Sequence, residues 1–198
     1  MSGSLIPTIR FTRRKLPHWE VEAGRYFVTV RCVGSLPREV RLRIGEIAET
    51  MKRQTPQSAE FANLKRRIFR TVEACLDSER TGILVGEAAS VLAHELASFD
   101  DSGFGVPHFT ILPTHWHAMI VSRHGGDCDL TWIMKRLKGR SAKAIRRAVG
   151  GSGPVWQREW FDHWVRNEAE WEKCVQYIRN NPVKAGIVDR WEKHPWTR

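Results

Sequence analysis

A predicted β-hairpin with two histidines on one face constrains this chain more than any other feature of its sequence. Two β-prone segments, 109–112 and 116–121, flank a Pro-Thr break. His115 and His117 are two positions apart, so on a strand both imidazoles leave from the same face, while Trp116 points from the other face into the core. Two imidazoles on one rigid face favour a metal site. With eight histidines in the chain, however, a His-x-His pair is a weak signal without a third ligand and a nucleophile.

The order of predicted elements around this hairpin indicates the fold class. Helical and strand periodicities alternate in the order strand, helices, strand, strand, helix, strand, helix. This order predicts an α+β fold, ferredoxin-like or RRM-like, with an antiparallel sheet of about four strands and helices packed mainly on one face. We expect one domain over 1–198, with a loose basic arm at 1–24 and a tail at 183–198. The elements are a strand at 25–33, helices opened by Pro37 and over 61–76 and 87–99, the hairpin, a helix over 130–149, a strand at 155–165, and a helix from about 167 to 180 that is stopped by Pro182.

The charge balance predicts a polyanionic partner. Lys and Arg total 32 against 22 Asp and Glu, a formal net charge of +10. Nucleic acid is the first expectation and an anionic membrane surface the second. No apolar run approaches the ~20 residues of a membrane span, and the N-terminus lacks the apolar core of a signal peptide. The four cysteines are widely spaced with no Cys-x-x-Cys pair, which is typical of a reduced cytosolic protein and argues against a zinc ribbon. We therefore expect a cytoplasmic protein with no membrane partner.

The helix predicted over 130–149 is the strongest candidate for contact with phosphate groups. It carries seven cations and no acid, which is more than a solvated helix face requires. Tryptophans are also frequent, with six of the nine after position 155. Core packing explains most of them, and stacking on unpaired bases is the alternative for one or two. The candidate DNA-binding residues are Arg13, Arg14, Lys135, Arg136, Lys138, Arg140, Lys143, Arg158, Arg166 and Arg179.

The last predicted helix offers both a nucleophile and a further ligand. Tyr177 and Asn181 are four positions apart and so share one helix face. A tyrosine can attack phosphorus and form a covalent intermediate, but its phenol needs a nearby cation and a Lewis acid on the phosphate. Two imidazoles and one amide oxygen would leave three positions of an octahedron open, which suits Mg²⁺ or Mn²⁺. The alternative for Tyr177 is an ordinary half-buried helix residue.

Several blocks of the sequence resemble a known family. The segment 112–121 looks like the histidine–hydrophobe–histidine motif of the single-tyrosine HUH transposases. The segments 24–30, 155–162 and 177–188, followed by Pro-Trp-Thr at 195–197, resemble the REP-associated tyrosine transposase branch of that superfamily. These blocks follow the family's order and cover most of the chain outside 37–105.

This resemblance implies a chemistry and its residues. His115, His117 and Asn181 would hold the divalent metal, Mg²⁺ or Mn²⁺, and Tyr177 would be the nucleophile. The family cuts and rejoins single-stranded DNA next to hairpins through a 5′-phosphotyrosine link, without ATP. The sequence departs from the family pattern in places: Leu112 and Thr114 stand before the first histidine in place of the usual Met and Asn, and Trp116 is bulkier than the common Val.

Three functions are therefore compatible with the sequence. The first is a metal-dependent, single-strand DNA endonuclease and strand transferase, associated with the bacterial nucleoid and acting as a monomer or homodimer on single-stranded or hairpin DNA. The second is a non-catalytic nucleic-acid-binding protein on the same scaffold, which would have no need of Tyr177 one turn before Asn181. The third is a histidine-based metal hydrolase, for which Asp127 and Asp129 are the nearest acids in the sequence.

Overall fold

An antiparallel sheet lies at the centre of the protein in its computed structural model, which describes residues 8–13, 17–101, 103–122 and 129–198. Six strands form this sheet in the order β4-β5-β7-β3-β8, with β6 also paired to β7, and β1 and β2 form a separate two-stranded sheet. The strands are β1 (Thr8–Arg13), β2 (Pro17–Val21), β3 (Arg25–Arg31), β4 (Asp100–Asp101), β5 (Phe104–Gly105), β6 (Phe109–Leu112), β7 (His115–Ser122) and β8 (Phe161–Trp164). The helices are α1 (Arg38–Lys52), α2 (Ala59–Leu76), α3 (Gly86–Ala97), α4 (Leu130–Val149) and α5 (Glu168–Lys184), followed by a short 3₁₀ turn, Trp191–Lys193.

The two faces of this sheet bury different side chains. Strands β3 and β7 run antiparallel in register, with Thr29 opposite His117. Alternate residues of both strands, such as Val28 and Trp116, pack with α3 and α4 in the largest apolar cluster; we call this side the apolar face. The residues between them, such as Phe27 and His117, face α5 and Phe69 of α2; we call this side the histidine face.

The α+β class and the antiparallel sheet predicted from the sequence are confirmed. The predicted placement of the helices mainly on one side is wrong, because helices cover both faces. The reason is the composition of the strands: Phe27 and Met119 are apolar residues on the second face and need their own cover. Helix α4 has the bounds that its periodicity predicts. The assignment of the chain to one domain stays a prediction.

Three local predictions are corrected by the structure. The N-terminal segment is a β-hairpin in its described residues, where β1 pairs antiparallel with β2, and not a loose arm. The strand predicted over 155–165 is reduced to β8 and an isolated bridge from Trp156 to Cys32. Helix α5 passes through Pro182, because the proline removes only one backbone donor, and it ends before Gly186, whose φ of 63° is left-handed.

The C-terminal residues lie against the hairpin that carries the histidines. Backbone hydrogen bonds join the amide of Phe109 to the carbonyl of Arg198 at 3.2 Å and the amide of Arg198 to the carbonyl of Phe109 at 2.9 Å. Thr110 and Thr197 form a bridge between them. Strand β6 is therefore paired on both sides. Within the described part of the chain, no helix is long and apolar enough to cross a bilayer.

Candidate metal and nucleophile site

The hairpin places both histidines in a buried position on the histidine face. His115 and His117 are each 0% exposed. The Nδ1 atom of His117 lies 2.8 Å from the hydroxyl of Thr29, and the Nδ1 atom of His115 lies 3.1 Å from the hydroxyl of Thr114. Each imidazole is therefore oriented through one nitrogen, as ligating histidines commonly are, and its Nε2 atom is left for another partner. The predicted shared face of the two histidines is confirmed.

The turn before His115 is held from both sides. The amide of Leu84 donates to the carbonyl of Pro113 at 3.0 Å, and the amide of Cys32 donates to the carbonyl of Thr114 at 2.8 Å. Gly82 passes so close that a Cβ atom there would lie 2.1 Å from the Pro113 oxygen, so only glycine fits. Rigid backbone on either side fixes the direction of His115.

Thr114 and Trp116, which depart from the family pattern, each have a clear place in the structure. Thr114 supports His115 through its hydroxyl, as described above. Trp116 is fully buried on the apolar face, where its ring meets Trp156 edge-on at 6.2 Å between centroids. The bulk of Trp116 therefore lies on the other side of the sheet from the two imidazoles.

Glu73 of α2 completes a group of three potential ligands that the sequence did not reveal. One ligand atom each from Glu73, His115 and His117 lies within 4.8 Å of the others, and all three residues are buried. The Glu73 Oε2 atom is 3.3 Å from His117 Nε2. A signal for Glu73 exists in the sequence: it lies four positions after Phe69 and three before Leu76, and so shares a helix face with these apolar residues, where a carboxylate is unusual.

Helix α5 brings Tyr177 and Asn181 to the same group, as their spacing predicts. The Tyr177 hydroxyl donates a hydrogen bond to Glu73 Oε2. The Asn181 amide nitrogen is 3.3 Å from His117 Nε2. The Tyr177 ring also meets the His117 ring edge-on at 5.4 Å and has the ammonium of Lys184 6.0 Å from its centroid. Tyr177, Glu73 and His117 thus converge from α5, α2 and β7.

Three buried polar atoms at this point have no hydrogen-bond partner among the residues that the structure describes. They are His115 Nε2, Glu73 Oε1 and Asn181 Oδ1. An unpaired buried acceptor costs about 1–3 kcal/mol, so three of them together need an explanation. All three carry lone pairs of the kind that coordinate a divalent cation. These residues fit a metal ion.

Burial sets the protonation of the site. It lowers the pKa of His115 to about 3, with a smaller contribution from the charge of Lys184. Burial, together with the charges of His115 and Lys184, also holds the pKa of His117 well below its ordinary value. Both imidazoles are therefore neutral near pH 7, which leaves their lone pairs available to a metal. Burial raises the pKa of Glu73 to about 8, and burial followed by the charge of Glu73 raises the pKa of Tyr177.

The predicted DNA-binding residues are distributed over several surfaces. Helix α4 packs on the apolar face, so its cations belong to the opposite side of the sheet from Tyr177. Several of them already have protein partners: Arg140 pairs with Glu95 at 3.3 Å, Lys138 donates to the carbonyls of Gln157 and Arg158 at 2.8 Å, and Arg146 donates to the carbonyl of Gly153 at 3.2 Å. Lys135, Arg136 and Lys143 are exposed on α4, Arg158 is exposed near it, Arg166 lies over Trp164, Arg179 lies over Trp191, and Arg13 is in β1.

The two aspartates considered for a hydrolase are not at this site. Asp129 caps α4, where its carboxylate accepts a hydrogen bond from the amide of Trp132 at 2.8 Å. Asp127 and the candidate DNA contact Arg14 lie outside the described residues. The acid beside the two histidines is Glu73.

Curated proteins are similar to part of this chain. No protein-family model matches the chain. The REP-associated tyrosine transposase of Escherichia coli (strain K12) is 28% identical to it over 97 residues, which are 49% of this chain and 55% of that protein. An uncharacterized protein of Haemophilus influenzae is 28% identical over 97 residues, with 39% of this chain and 54% of that protein covered. The chain thus spans about half the length of these curated relatives.

A solved structure supplies the comparison of folds. It is that of a REP-associated tyrosine transposase bound to a REP hairpin, and it is 21% identical to this chain. The TM-score is 0.58, with 94% of this chain and 80% of that chain covered. At this level of identity the likeness shows the fold. The resemblance read from the sequence is therefore confirmed, and in sequence and in fold this chain is similar to the REP-associated tyrosine transposases.

Proposed function

We propose that this protein is a transposase-like enzyme that cuts and rejoins single-stranded DNA next to hairpins through a 5′-phosphotyrosine intermediate. The observation that carries the proposal is the hydrogen bond from Tyr177 to Glu73, made directly beside His117 and Asn181. A tyrosine in a purely packing role has no need of a buried carboxylate as its acceptor. A DNA-binding protein without catalysis has no need of this group at all.

The proposed step follows from the position of each atom. The Tyr177 oxygen attacks the phosphorus of a phosphodiester, and its proton passes to the ionised form of Glu73, whose Oε2 atom already accepts it in a hydrogen bond. A divalent cation beside Glu73 would lower the raised pKa of this group and so favour the ionised form. The bond from phosphorus to the 3′ oxygen breaks, and a 3′-hydroxyl forms as that oxygen takes up a proton. The new tyrosine ester keeps the energy of the phosphodiester, so a 3′-hydroxyl can attack it and restore Tyr177. No ATP is required.

We assign the metal, Mg²⁺ or Mn²⁺, to His115, His117 and Asn181, and we add Glu73 as a ligand or as the proton acceptor for Tyr177. When bound, such a cation polarises the phosphate and stabilises the charge that develops on it. The protein residues orient the site: Thr29 and Thr114 fix the imidazoles, and α5 fixes Tyr177 relative to Asn181.

The proposed partner is single-stranded or hairpin DNA. The likeness to a transposase bound to a REP hairpin supports it, and so does the formal charge of +10. A monomer or homodimer associated with the bacterial nucleoid in the cytoplasm fits this role, and a membrane partner does not.

Covalent capture of DNA tests the proposal. The substrate is a set of strands labelled at the 3′ end, each with one hairpin and a randomised single-stranded flank, incubated with Mg²⁺ and resolved on a denaturing gel. We expect a labelled protein–DNA adduct that disappears in Tyr177→Phe, a change that removes one oxygen. The matched control is Tyr26→Phe. Tyr26 is the other tyrosine of the chain, and its hydroxyl accepts a hydrogen bond from the amide of Val21 at 2.8 Å. Cleavage at an unchanged rate in Tyr177→Phe would show that another group is the nucleophile.

A further inference from the structure

A large cavity with aromatic walls lies next to Tyr177, on the histidine face. Its volume is about 620 Å³, within the range of about 300–1,000 Å³ that is common for ligand sites. Residues of β2, α2, β8 and α5 line it, and Tyr177 forms part of its wall. We call it the aromatic cavity; its main rings are Trp19, Phe61, Phe69, Phe161, Trp164 and Tyr177.

The charged residues of the aromatic cavity are all cations. Lys65, Arg66, Arg166 and Lys173 line it, and no carboxylate occurs among the described residues that do so. The ammonium of Lys65 lies 5.3 Å from the ring centroid of Phe161, and the guanidinium of Arg166 lies 5.4 Å from that of Trp164. Positive groups thus stand beside rings, which is the combination that binds a base and its phosphate together.

A second cavity provides the contrast. It has a volume of about 440 Å³ and shares Phe69 and Phe161 with the aromatic cavity, but Glu73 lines it in place of Tyr177. Its lining mixes both signs of charge, with three cations and three acids. A lining without carboxylates suits a polyanion better than a mixed one. Two of the cations of the aromatic cavity have carboxylate partners outside its lining, Lys65 with Asp162 at 3.8 Å and Arg166 with Glu170 at 3.5 Å. The cations of the second cavity are Arg31, Arg41 and Lys52, and its acids are Glu49, Glu73 and Glu159.

We propose that the aromatic cavity binds one or two unpaired nucleotides of the DNA strand, next to the phosphodiester that Tyr177 attacks. The proposal rests on the function given above and names the part of the substrate that this cavity holds. Bases would stack on Phe161 or Trp164, and the neighbouring phosphates would meet Arg66, Arg166 or Lys173. A paired base is already stacked inside a duplex, so the occupant is single-stranded.

Binding of two strands that differ only in their bases tests this. The probes are fluorescein-labelled (dT)₁₀ and a ten-residue abasic strand of equal charge, measured by anisotropy in chelator so that no cleavage occurs. We expect (dT)₁₀ to bind more tightly, and Phe161→Leu and Trp164→Leu each to weaken it by about 5- to 100-fold. Binding of the abasic strand should change by less than about twofold, because it depends on phosphate contacts. Trp171→Leu is the control, since Trp171 is half-buried on α5 but does not line the cavity.

Lys173 is an exposed residue of the cavity wall, so changing it tests the proposal without disturbing the folded core. Lys173→Gln should reduce the slope of log K against log salt by about 0.7 for (dT)₁₀, whereas Arg190→Gln, an exposed cation outside the cavity, should not change it. Equal affinity of the wild type for both strands, or equal losses for both strands in the Phe161 and Trp164 variants, would overturn the proposal.

The outcome is separable from that of the proposed function. A base-dependent loss in these variants, with no covalent adduct under any condition, would support the cavity and refute the phosphotyrosine chemistry. A strong adduct at Tyr177 with no base-dependent affinity would support the chemistry and refute the cavity.

Discussion

The apolar face and the histidine face share the same two central strands but differ in what they bury. On the apolar face, Trp116 and Val28 belong to a cluster that is almost entirely hydrocarbon. On the histidine face, His117 follows Trp116 directly, yet it meets a carboxylate, an amide and a hydroxyl. Three buried polar atoms there find no hydrogen-bond partner within the described part of the chain.

Because of this difference, we expect alternate residues of β7 to affect different properties of the protein. Burial of apolar surface on one face contributes about 25 cal/mol per Å² to the free energy of unfolding. The other face holds buried polar groups, which cost free energy until a ligand satisfies them. Changes at neighbouring positions of β7 should therefore have unlike effects, which the following experiments measure.

The largest effect is expected at His117. His117→Ala removes a neutral imidazole that contacts both Glu73 and Asn181. Because metal polarisation of a phosphate is worth several kcal/mol, the rate of adduct formation in Mg²⁺ should fall about 1,000-fold. DNA affinity measured by anisotropy should change little, since basic residues hold the strand. A rate near that of the wild type would remove His117 from the ligand set.

Trp116→Ala should have the opposite pattern. It removes the largest fully buried side chain on the apolar face and leaves a cavity there. We therefore expect the free energy of unfolding to fall by about 3–5 kcal/mol in urea denaturation. The affinity for Mn²⁺ of the folded fraction, followed by isothermal titration at low temperature, should stay within about threefold, because the side chain points away from the ligands. A large loss of affinity would show that the two faces are coupled through β7.

The pH dependence of stability without metal should reveal Glu73. Its pKa is raised from 4.5 to about 8 in the folded protein by burial, so the unfolded chain releases this proton first as the pH rises. The contribution of Glu73 to stability is therefore complete below pH ~4.5 and is lost towards pH ~8, by up to about 1.4 kcal/mol per pH unit. The measurement is urea denaturation in chelator at pH 5, 6.5 and 8. Glu73→Gln removes the titration, and an identical pH slope in this variant would contradict the assignment.

The smallest effect is expected on α4, on the apolar side of the sheet. Its exposed Lys135 and Lys143 are predicted to contact phosphate groups. The double change to Gln should flatten the dependence of log K on log salt by roughly 1.4 to 1.8, at about 0.7 to 0.9 per contact. The double change to Arg keeps the charge and should keep the slope. If the Gln and Arg double variants give the same slope of log K against log salt, α4 is a solvated helix and DNA binds on the histidine face.

Local patterns predicted the elements that carry the site, because their signals lie within a few residues. The His-x-His spacing set the shared face of His115 and His117, and a separation of four set Tyr177 beside Asn181. Both depend only on the geometry of one strand or one helix.

The remaining features depend on contacts between distant segments. Glu73 reaches Tyr177 across 104 positions, and no local pattern states which helix packs on which face. The N-terminal hairpin was missed for a similar reason. Its described partners are distant segments: His18 of β2 hydrogen-bonds to Asp162 of β8, 144 positions away, and Glu20 of β2 accepts hydrogen bonds from Thr131 of α4, 111 positions away. Buried pairs of this kind are fixed by tertiary packing, which periodicity does not report.

The pairing of residues 196–198 with β6 has a consequence for the behaviour of the folded protein in solution. A strand with a free edge exposes a row of amide and carbonyl groups that another chain can pair with, and such edges lead to aggregation. Thr197 and Arg198 occupy that edge of β6, directly behind the hairpin that bears His115. Residues 196–198 therefore cover this edge, and their removal would expose unpaired amide and carbonyl groups of β6 next to the candidate metal site.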